Sequence, residues 1–484
     1  MNRQIRHLGI AMLVLFGALF VQLNVIQVIR ADAYNDNPNN TRAIVRDFNE
    51  PRGQIVAADG TVLARSVPNE GRFERRREYP EGELFAEVTG YFSFVAGAAG
   101  AEKTYNDVLA GRTSESADDL GELLLGGDRT ADVRLTLPSE VQRVARDALG
   151  ATRGSVVALD PRDGSILALW NFPSYDPALL SSVDIEAAQA ARDRLLADEA
   201  NPLLPATYRE TYFPGSTFKV VTAAAGLSSG QITAESPSYP TSTAYVPPLT
   251  TNPINNFGGS SCGGALFSIL RVSCNTAFAQ MGVDLGAEIL VNQAEAFGFN
   301  QAPPLDLPEP EPSSIGEVAS FVQNTPVLAM TAIGQNAVRA TPLQMAMVAG
   351  GVANGGQVMV PHVMAEVRND DGEVIDTYEP EPWTRAMSAE DATLLTEAMV
   401  GVVEDGTASR LAVPGVTTAG KTGTAQLGNG LSHAWIVGFA PAEAPRVAVA
   451  VIVEAQPGAS EQTGGRVAAP IAQAVLSAAL GVTP

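Results

Sequence analysis

Between Leu8 and Ile29 the chain runs for 22 residues in which only Gln22, Asn24 and Gln27 are polar. In a helix that length crosses the roughly 30 Å hydrocarbon core of a bilayer. Arg3 and Arg6 precede it, and a basic flank of this kind holds an N-terminus in the cytoplasm, which places the bulk of the chain outside. A cleaved signal peptide is the competing reading, because Ala31–Ala33 (ADA) loosely matches a small-x-small cleavage site. The apolar run is longer than a usual signal core and Arg30 sits beside the site, so the segment reads as an uncleaved anchor. No second span is apparent. The rest of the 484 residues therefore fold in an oxidising compartment, and they exceed what one core usually holds.

Composition narrows this further. With 45% apolar and 17% charged residues the chain is folded rather than disordered. A net charge of −22 argues against nucleic acid or anionic lipid as a partner. From Arg42 to about Gly150 the texture is strongly charged, with RFERRREYP at Arg72–Pro80, and reads as a small, irregular pedestal. Gln54–Ala64 alternates around Asp59–Gly60, which predicts a hairpin. After Gly154 the strands GSVVALD and SILALW flank the turn PRDG. Ala-rich helices follow, for example Thr222–Leu227 and Leu343–Val352. Three late strands are predicted (AGKTGTAQ, HAWIVGFA and VAVAVIVE), then a closing helix over Ala468–Leu480. Strands at both ends with helices between predict one sheet built from distant parts of the chain.

The basic residues hold a chemical clue. Of 31, only Lys103, Lys219 and Lys421 are lysine. Arginine keeps its proton, whereas a buried lysine can lose one and act as a base. In STFKVVTAAAGL, Ser216 and Lys219 lie three apart on one helical face. Apolar neighbours predict burial and a lowered Lys219 pKa, beside a serine hydroxyl and a helix N-terminus that would face an oxyanion. A surface lysine with a serine cap reads the pair equally well when it is taken alone. VSCNTAF adds Ser273 and Asn275, and AGKTGTAQ adds Lys421, Thr422, Gly423 and Thr424. In a strand the two threonines share a face, and Gly423 would let a ligand backbone approach.

Together these three clusters resemble the S-x-x-K, S-D-N and K-T-G set of penicillin-binding proteins and serine β-lactamases. PRGQIVAADGTVLA, EKTYNDVLAG, FPSYDP, AIGQNAVRATPLQMA and HAWIVGFAP extend the resemblance, specifically to class B penicillin-binding proteins, over nearly the whole chain after the anchor. The resemblance implies an α/β (α+β) penicillin-binding transpeptidase fold: an antiparallel sheet flanked by helices, an anchor at 1–30, a small mainly β, dimerisation-like pedestal at 31–150 and the transpeptidase domain at 151–484. It implies that Ser216 is acylated, with Lys219 as its base. Ser273 would relay a proton to the leaving group, Lys421 would keep that network electropositive, and Asn275 would bind the substrate amide. Thr422 and Thr424 would hold a terminal carboxylate, with Gly423 between them, and the backbone N–H groups of Ser216 and Thr424 would form the oxyanion hole. The middle of the second motif departs from the common pattern: it is Cys274, not Asp.

The expected reaction is crosslinking of peptidoglycan stem peptides ending in D-Ala-D-Ala, with β-lactams trapping Ser216. A carboxypeptidase, a β-lactamase-type hydrolase and a non-catalytic sensor or scaffold are the alternatives. No polymerase domain fits ahead of Gly154, so the resemblance also implies a SEDS-family glycosyltransferase as partner, and Gln22 and Asn24 are consistent with a neighbouring helix. Gln27 reads as a headgroup-level residue. Glu288–Asn292 (EILVN) imitates a deacylating-base motif but reads as ordinary helix. His7, His362 and His433 lack ligand spacing, so no cofactor or metal is expected. Cys262 and Cys274 are the only cysteines. Their compartment predicts a bridge, with two buried thiols as the alternative.

Overall fold

The computed structural model describes residues 2–25, 48–112, 130–428, 430–455 and 463–482. Met1–Pro51 with Val67–Arg76 form one compact unit, and Arg52–Ser66 with Arg77–Pro484 form the other. In the first unit, helix α1 (Asn2–Asn24) contains Ile5–Asn24, the one helix among the described residues long and apolar enough to cross a membrane. Leu13 and Phe20 stand 75% and 71% exposed, apolar surface of the kind a lipid-facing helix carries. The Asn24 side chain donates to the Phe20 carbonyl at 2.8 Å, so this polar group is satisfied within its own helix. Gln27 and the ADA stretch lie outside the described residues.

The second unit begins with the predicted hairpin. Strands β1 (Ile55–Val56) and β2 (Val62–Pro68) pair antiparallel, Ile55 opposite Ala64, around Gly60 at φ 85°. Short helices α2 (Ala86–Thr89) and α3 (Gly100–Thr104) follow. Strand β3 (Ala131–Leu135) runs parallel to β1. Fully buried Glu102 on α3 accepts from Arg52 Nε at 2.8 Å and Arg77 Nε at 2.6 Å. Part of the strongly charged stretch is therefore buried and paired. Helix α4 (Ser139–Leu149) leads to β4 (Gly154–Leu159) and β5 (Ile166–Phe172), the PRDG hairpin.

Beyond it come α5 (Ala206–Arg209), α6 (Lys219–Ser228), β6 (Cys262–Gly264), α7 (Leu266–Arg271), α8 (Asn275–Leu285) and α9 (Pro342–Ala353). Strands β7 (Met364–Asn369) and β8 (Val374–Thr377) then return to the first sheet, where β7 lies antiparallel to β3, Val367 opposite Val133. Helix α10 (Ala389–Glu404) precedes β9 (Ala419–Gln426), β10 (Ser432–Ala440) and β11 (Val447–Val453), and α11 (Ala469–Leu480) closes the chain.

The central sheet has the order β9–β10–β11–β4–β5 and is antiparallel throughout. Every residue of β4 and β11 is buried. Such continuous apolar runs need cover on both faces, and α4 and α11 pack on the sheet together while α9 packs on β4, β10 and β11. Strand β9, which carries Lys421, is an edge, so one row of its backbone groups has no strand partner.

Candidate active site

The segment expected to be a single helix is a 3-10 turn over Gly215–Phe218 running directly into α6 at Lys219. Gly215 sits at φ +54°, and a Cβ there would lie 2.7 Å from the Thr424 carbonyl oxygen. Its N–H donates to the Gly334 carbonyl at 2.9 Å. The loop carrying Ser216 is thus clamped against β9. A Cβ on Gly423 would meet the Pro214 carbonyl oxygen and Thr217 Cγ2, both at 2.9 Å. The glycine of the K-T-G run is therefore required by this loop, in addition to any room it leaves for a ligand backbone.

Ser216 is half-buried, and among the described residues none hydrogen-bonds its hydroxyl. Lys219 is fully buried and turned toward the second cluster: its Nζ donates to the Ser273 carbonyl at 2.7 Å, to Ser273 Oγ at 3.3 Å and to Asn275 Oδ1 at 2.6 Å. Lys421 Nζ reaches the same Ser273 Oγ at 2.7 Å and the Thr422 carbonyl at 2.9 Å. Two buried lysines therefore converge on one serine oxygen. Burial, and secondarily the like charge of Lys421, holds Lys219 well below the usual lysine range. Burial alone brings Lys421 down to about 7. The expected contact of Lys219 with the Ser216 hydroxyl is not what this geometry has; the amine instead bridges the first motif to the second.

Ser273 adopts φ 58°, the left-handed conformation that glycine favours at the end of a helix, here just past α7. Its N–H donates to Leu270 and that of Cys274 to Ile269, at 3.0 and 2.8 Å. Cys274 is disulfide-bonded to Cys262 on β6, so the predicted bridge holds the turn from one side. Asn256, which no motif marks, holds it from another: its Oδ1 accepts from the Thr276 N–H at 3.0 Å. Asn275 Nδ2 donates to the Asn255 carbonyl at 3.0 Å. Thr422 is 8% exposed and shares a hydrogen bond of 2.7 Å with Thr407 Oγ1. That leaves Thr424, half-exposed, as the threonine whose hydroxyl no described residue occupies. Glu288 and Asn292 are exposed on the helix Ala287–Ala296, in keeping with their reading as ordinary surface.

Two expectations follow from this frame. Replacing both cysteines by serine should lower stability by about 3 kcal/mol, the loop-entropy estimate for a bridge of this span. Equal denaturant midpoints for the two chains would refute that estimate. The second concerns Lys421, whose lowered folded pKa means that between about 7 and the unfolded lysine value the unfolded chain binds more protons. Stability then rises with pH across that window, by up to about 1.4 kcal/mol per pH unit for one group. Lys421→Met should flatten this rise, measured as the unfolding midpoint from neutral to alkaline pH. Parallel profiles for the two proteins would remove Lys421 as its source.

Residues 154–477 match the family model described as the penicillin binding protein transpeptidase domain, and residues 52–132 match the penicillin binding protein A dimerisation domain. The chain belongs to the penicillin-binding protein family, with the transpeptidase fold and the class B arrangement of an N-terminal domain ahead of it. It is 40% identical to peptidoglycan D,D-transpeptidase PbpA of Mycolicibacterium smegmatis over 99% of each chain. It is 38% identical to PbpA of Mycobacterium tuberculosis over 100% of each. The solved ceftriaxone acyl-enzyme complex of penicillin-binding protein A from M. tuberculosis superposes with a TM-score of 0.84 at 38% identity, covering 90% of this chain and 100% of that one. Its penicillin G acyl-enzyme complex gives 0.81 at 39%, covering 89% and 100%.

Proposed function

We propose that this protein is a membrane-anchored peptidoglycan D,D-transpeptidase that forms an acyl-enzyme on Ser216. The observation that carries this is the convergence of Lys219 and Lys421 on Ser273 Oγ, at 3.3 and 2.7 Å, beside a serine clamped onto an edge strand. Ser216 Oγ attacks the carbonyl carbon of the penultimate D-Ala and gives its proton to neutral Lys219. The oxyanion forms against the backbone N–H groups of Ser216 and Thr424. As the tetrahedral intermediate collapses, the C–N bond breaks and Ser273, held between the two amines, passes a proton to the departing D-Ala. An acceptor amine then attacks the ester and Ser216 recovers its proton. The open edge of β9 offers an extended peptide a row of backbone partners, Asn275 offers its amide, and Thr424 offers its hydroxyl to a carboxylate, while Thr422 is held on Thr407.

The same reading takes residues 1–30 as anchor with a cytoplasmic N-terminus, 31–150 as pedestal and 151–484 as the extracellular transpeptidase domain, except that β7 and β8 of the last join the sheet of the second. β-Lactams act as trapped donors. Glycan polymerisation falls to a partner, a SEDS-family glycosyltransferase. The testing experiment is turnover of a stem-peptide donor by the full-length protein with and without an acceptor amine. Crosslinked product that grows with acceptor at the expense of hydrolysis is expected. Hydrolysis indifferent to acceptor would replace the reading with a carboxypeptidase, and glycan made from the lipid-linked disaccharide without added polymerase would remove the partner.

A further inference from the structure

Arg339 lies beside the loop that carries Ser216, outside the three motifs. Its backbone is fixed on both sides. It exchanges two hydrogen bonds with Ser314, both at 2.8 Å, and the next residue, Ala340, exchanges two with Tyr212, at 2.8 and 2.9 Å. The guanidinium carbon stands 3.3 Å from the centroid of the Phe213 ring, so the planar group is laid on an aromatic face. Phe213 and Arg339 are both half-buried. Among the described residues no carboxylate and no hydrogen-bond acceptor meets the five N–H donors of this guanidinium. Burial lowers its pKa, and no neighbouring carboxylate raises it again. By contrast Arg153, Arg162, Arg209, Arg271 and Arg368 each meet a carboxylate within 3.1 Å.

The fold says which part of a donor this cation can meet. Phe213 is two residues ahead of Gly215, where a Cβ would lie 2.7 Å from the Thr424 carbonyl oxygen and 3.0 Å from the Ala425 nitrogen. His433 stands opposite Ala425 in the β9–β10 register, with its ring 5.4 Å from that of Tyr212. Its Nδ1 accepts from the Ala455 N–H at 3.1 Å. Burial first, and then the charges of Arg339 and Arg153, push His433 down to about 4, so it is uncharged near neutrality. Arg153 is paired with Glu454 at 2.8 Å, and Glu454 also accepts from the Tyr212 hydroxyl at 2.9 Å. Arg339 has no such partner. In the acyl-enzyme reading Ser273 protonates the departing D-Ala, so the leaving side of the donor faces Lys421. The retained acyl side then runs the other way along β9, past Ala425 and Gln426, on the side where Arg339 lies.

We propose that Arg339 is a specificity-determining residue that binds a carboxylate on the acyl side of the donor, upstream of the penultimate D-Ala. The inference rests on the acyl-enzyme reading and deepens it. A carboxylate suits the group, because a guanidinium offers two parallel N–H donors at fixed spacing, and the ring beneath holds that fork without occupying it. The preferred donors are therefore peptides with an anionic group ahead of the reacting D-Ala.

Benzylpenicillin and its α-carboxy derivative, which differ by one carboxylate on the acyl side chain, test it on the full-length protein in detergent. The quantity read is the ratio of their second-order acylation rate constants, carboxy over neutral, which is taken within each protein and does not depend on the folded fraction. Arg339→Gln should lower this ratio about tenfold, the effect of one lost charge-assisted hydrogen bond, and Arg339→Lys should retain part of it. With donors ending in L-Glu-D-Ala-D-Ala and L-Gln-D-Ala-D-Ala, Arg339→Gln should raise KM for the glutamyl donor more than for the glutaminyl one, with kcat moving less. An equal ratio in the parent and in Arg339→Gln would overturn the proposal. So would an equal fall in Arg446→Gln, which removes an exposed charge ahead of β11, because net charge would then be the cause. Failure of both penicillins to acylate the parent would instead overturn the acyl-enzyme reading itself.

Discussion

A Ser216→Ala protein is expected to take up no penicillin covalently, and its turnover of stem peptide should fall by a factor on the order of 10⁶, the scale seen when a serine nucleophile is deleted elsewhere. The change removes one oxygen from a half-buried side chain that no described residue hydrogen-bonds, so stability should stay within about 0.5 kcal/mol. Lys219, Ser273 and Lys421 hold one another without help from Ser216, and their arrangement should survive. Loss of the adduct at an unchanged melting midpoint, measured with fluorescent penicillin and intact mass, is the predicted pair of results. A covalent adduct persisting in this variant would move the nucleophile to another residue.

Lys219→Arg should slow acylation by roughly 10²–10⁴-fold, the range that a general base contributes. The change keeps the positive charge and most of the length, which makes it a strict test of the proton. Lys219 is fully buried, and both its desolvation and the neighbouring Lys421 favour the neutral amine. Arginine cannot take that form in a protein. The guanidinium could still donate to Ser273 and Asn275, so positioning would be partly preserved while base catalysis would not. An acylation rate within tenfold of the parent would mean that Lys219 orients Ser273 and Asn275 without accepting a proton.

Most of the central sheet was legible because its strands carry their own signal. AGKTGTAQ coincides with β9, and VAVAVIV is an apolar run too short for a helix and bounded by turns. Lys219 and Lys421 stood out because the chain writes arginine almost everywhere else. What could not be read were relations that depend on the third dimension. The direction of the Lys219 amine, away from Ser216 and toward Ser273, is set by how α6 packs on α8, and spacing along one helix contains nothing of that. Asn256 and Thr407 act through side-chain hydrogen bonds from loops with no periodicity. Arg77 sits in a charged run, and only the fold brings Glu102 beneath it. Ser273 in a left-handed conformation is invisible for the same reason: a glycine would have announced the turn, and the serine conceals it.

Strands β7 and β8 lie within the stretch matched as transpeptidase, yet β7 pairs with β3 and β8 with β7 before the chain returns to α10. Sequence comparison therefore sees two modules where the backbone makes a lap joint. Cutting the chain ahead of Gly154 to isolate the catalytic half would strip β7 of its neighbour and leave an unpaired edge beside a two-stranded ribbon, the state least able to stand alone in water and most prone to pair with another molecule. A joint of this kind also ties the fates of the halves together. The segment after β8 leads into α10, and 14 residues separate the end of that helix from β9. The pedestal is thus part of what the catalytic domain is made from, and inheritance of one half by another protein would require the other to travel with it.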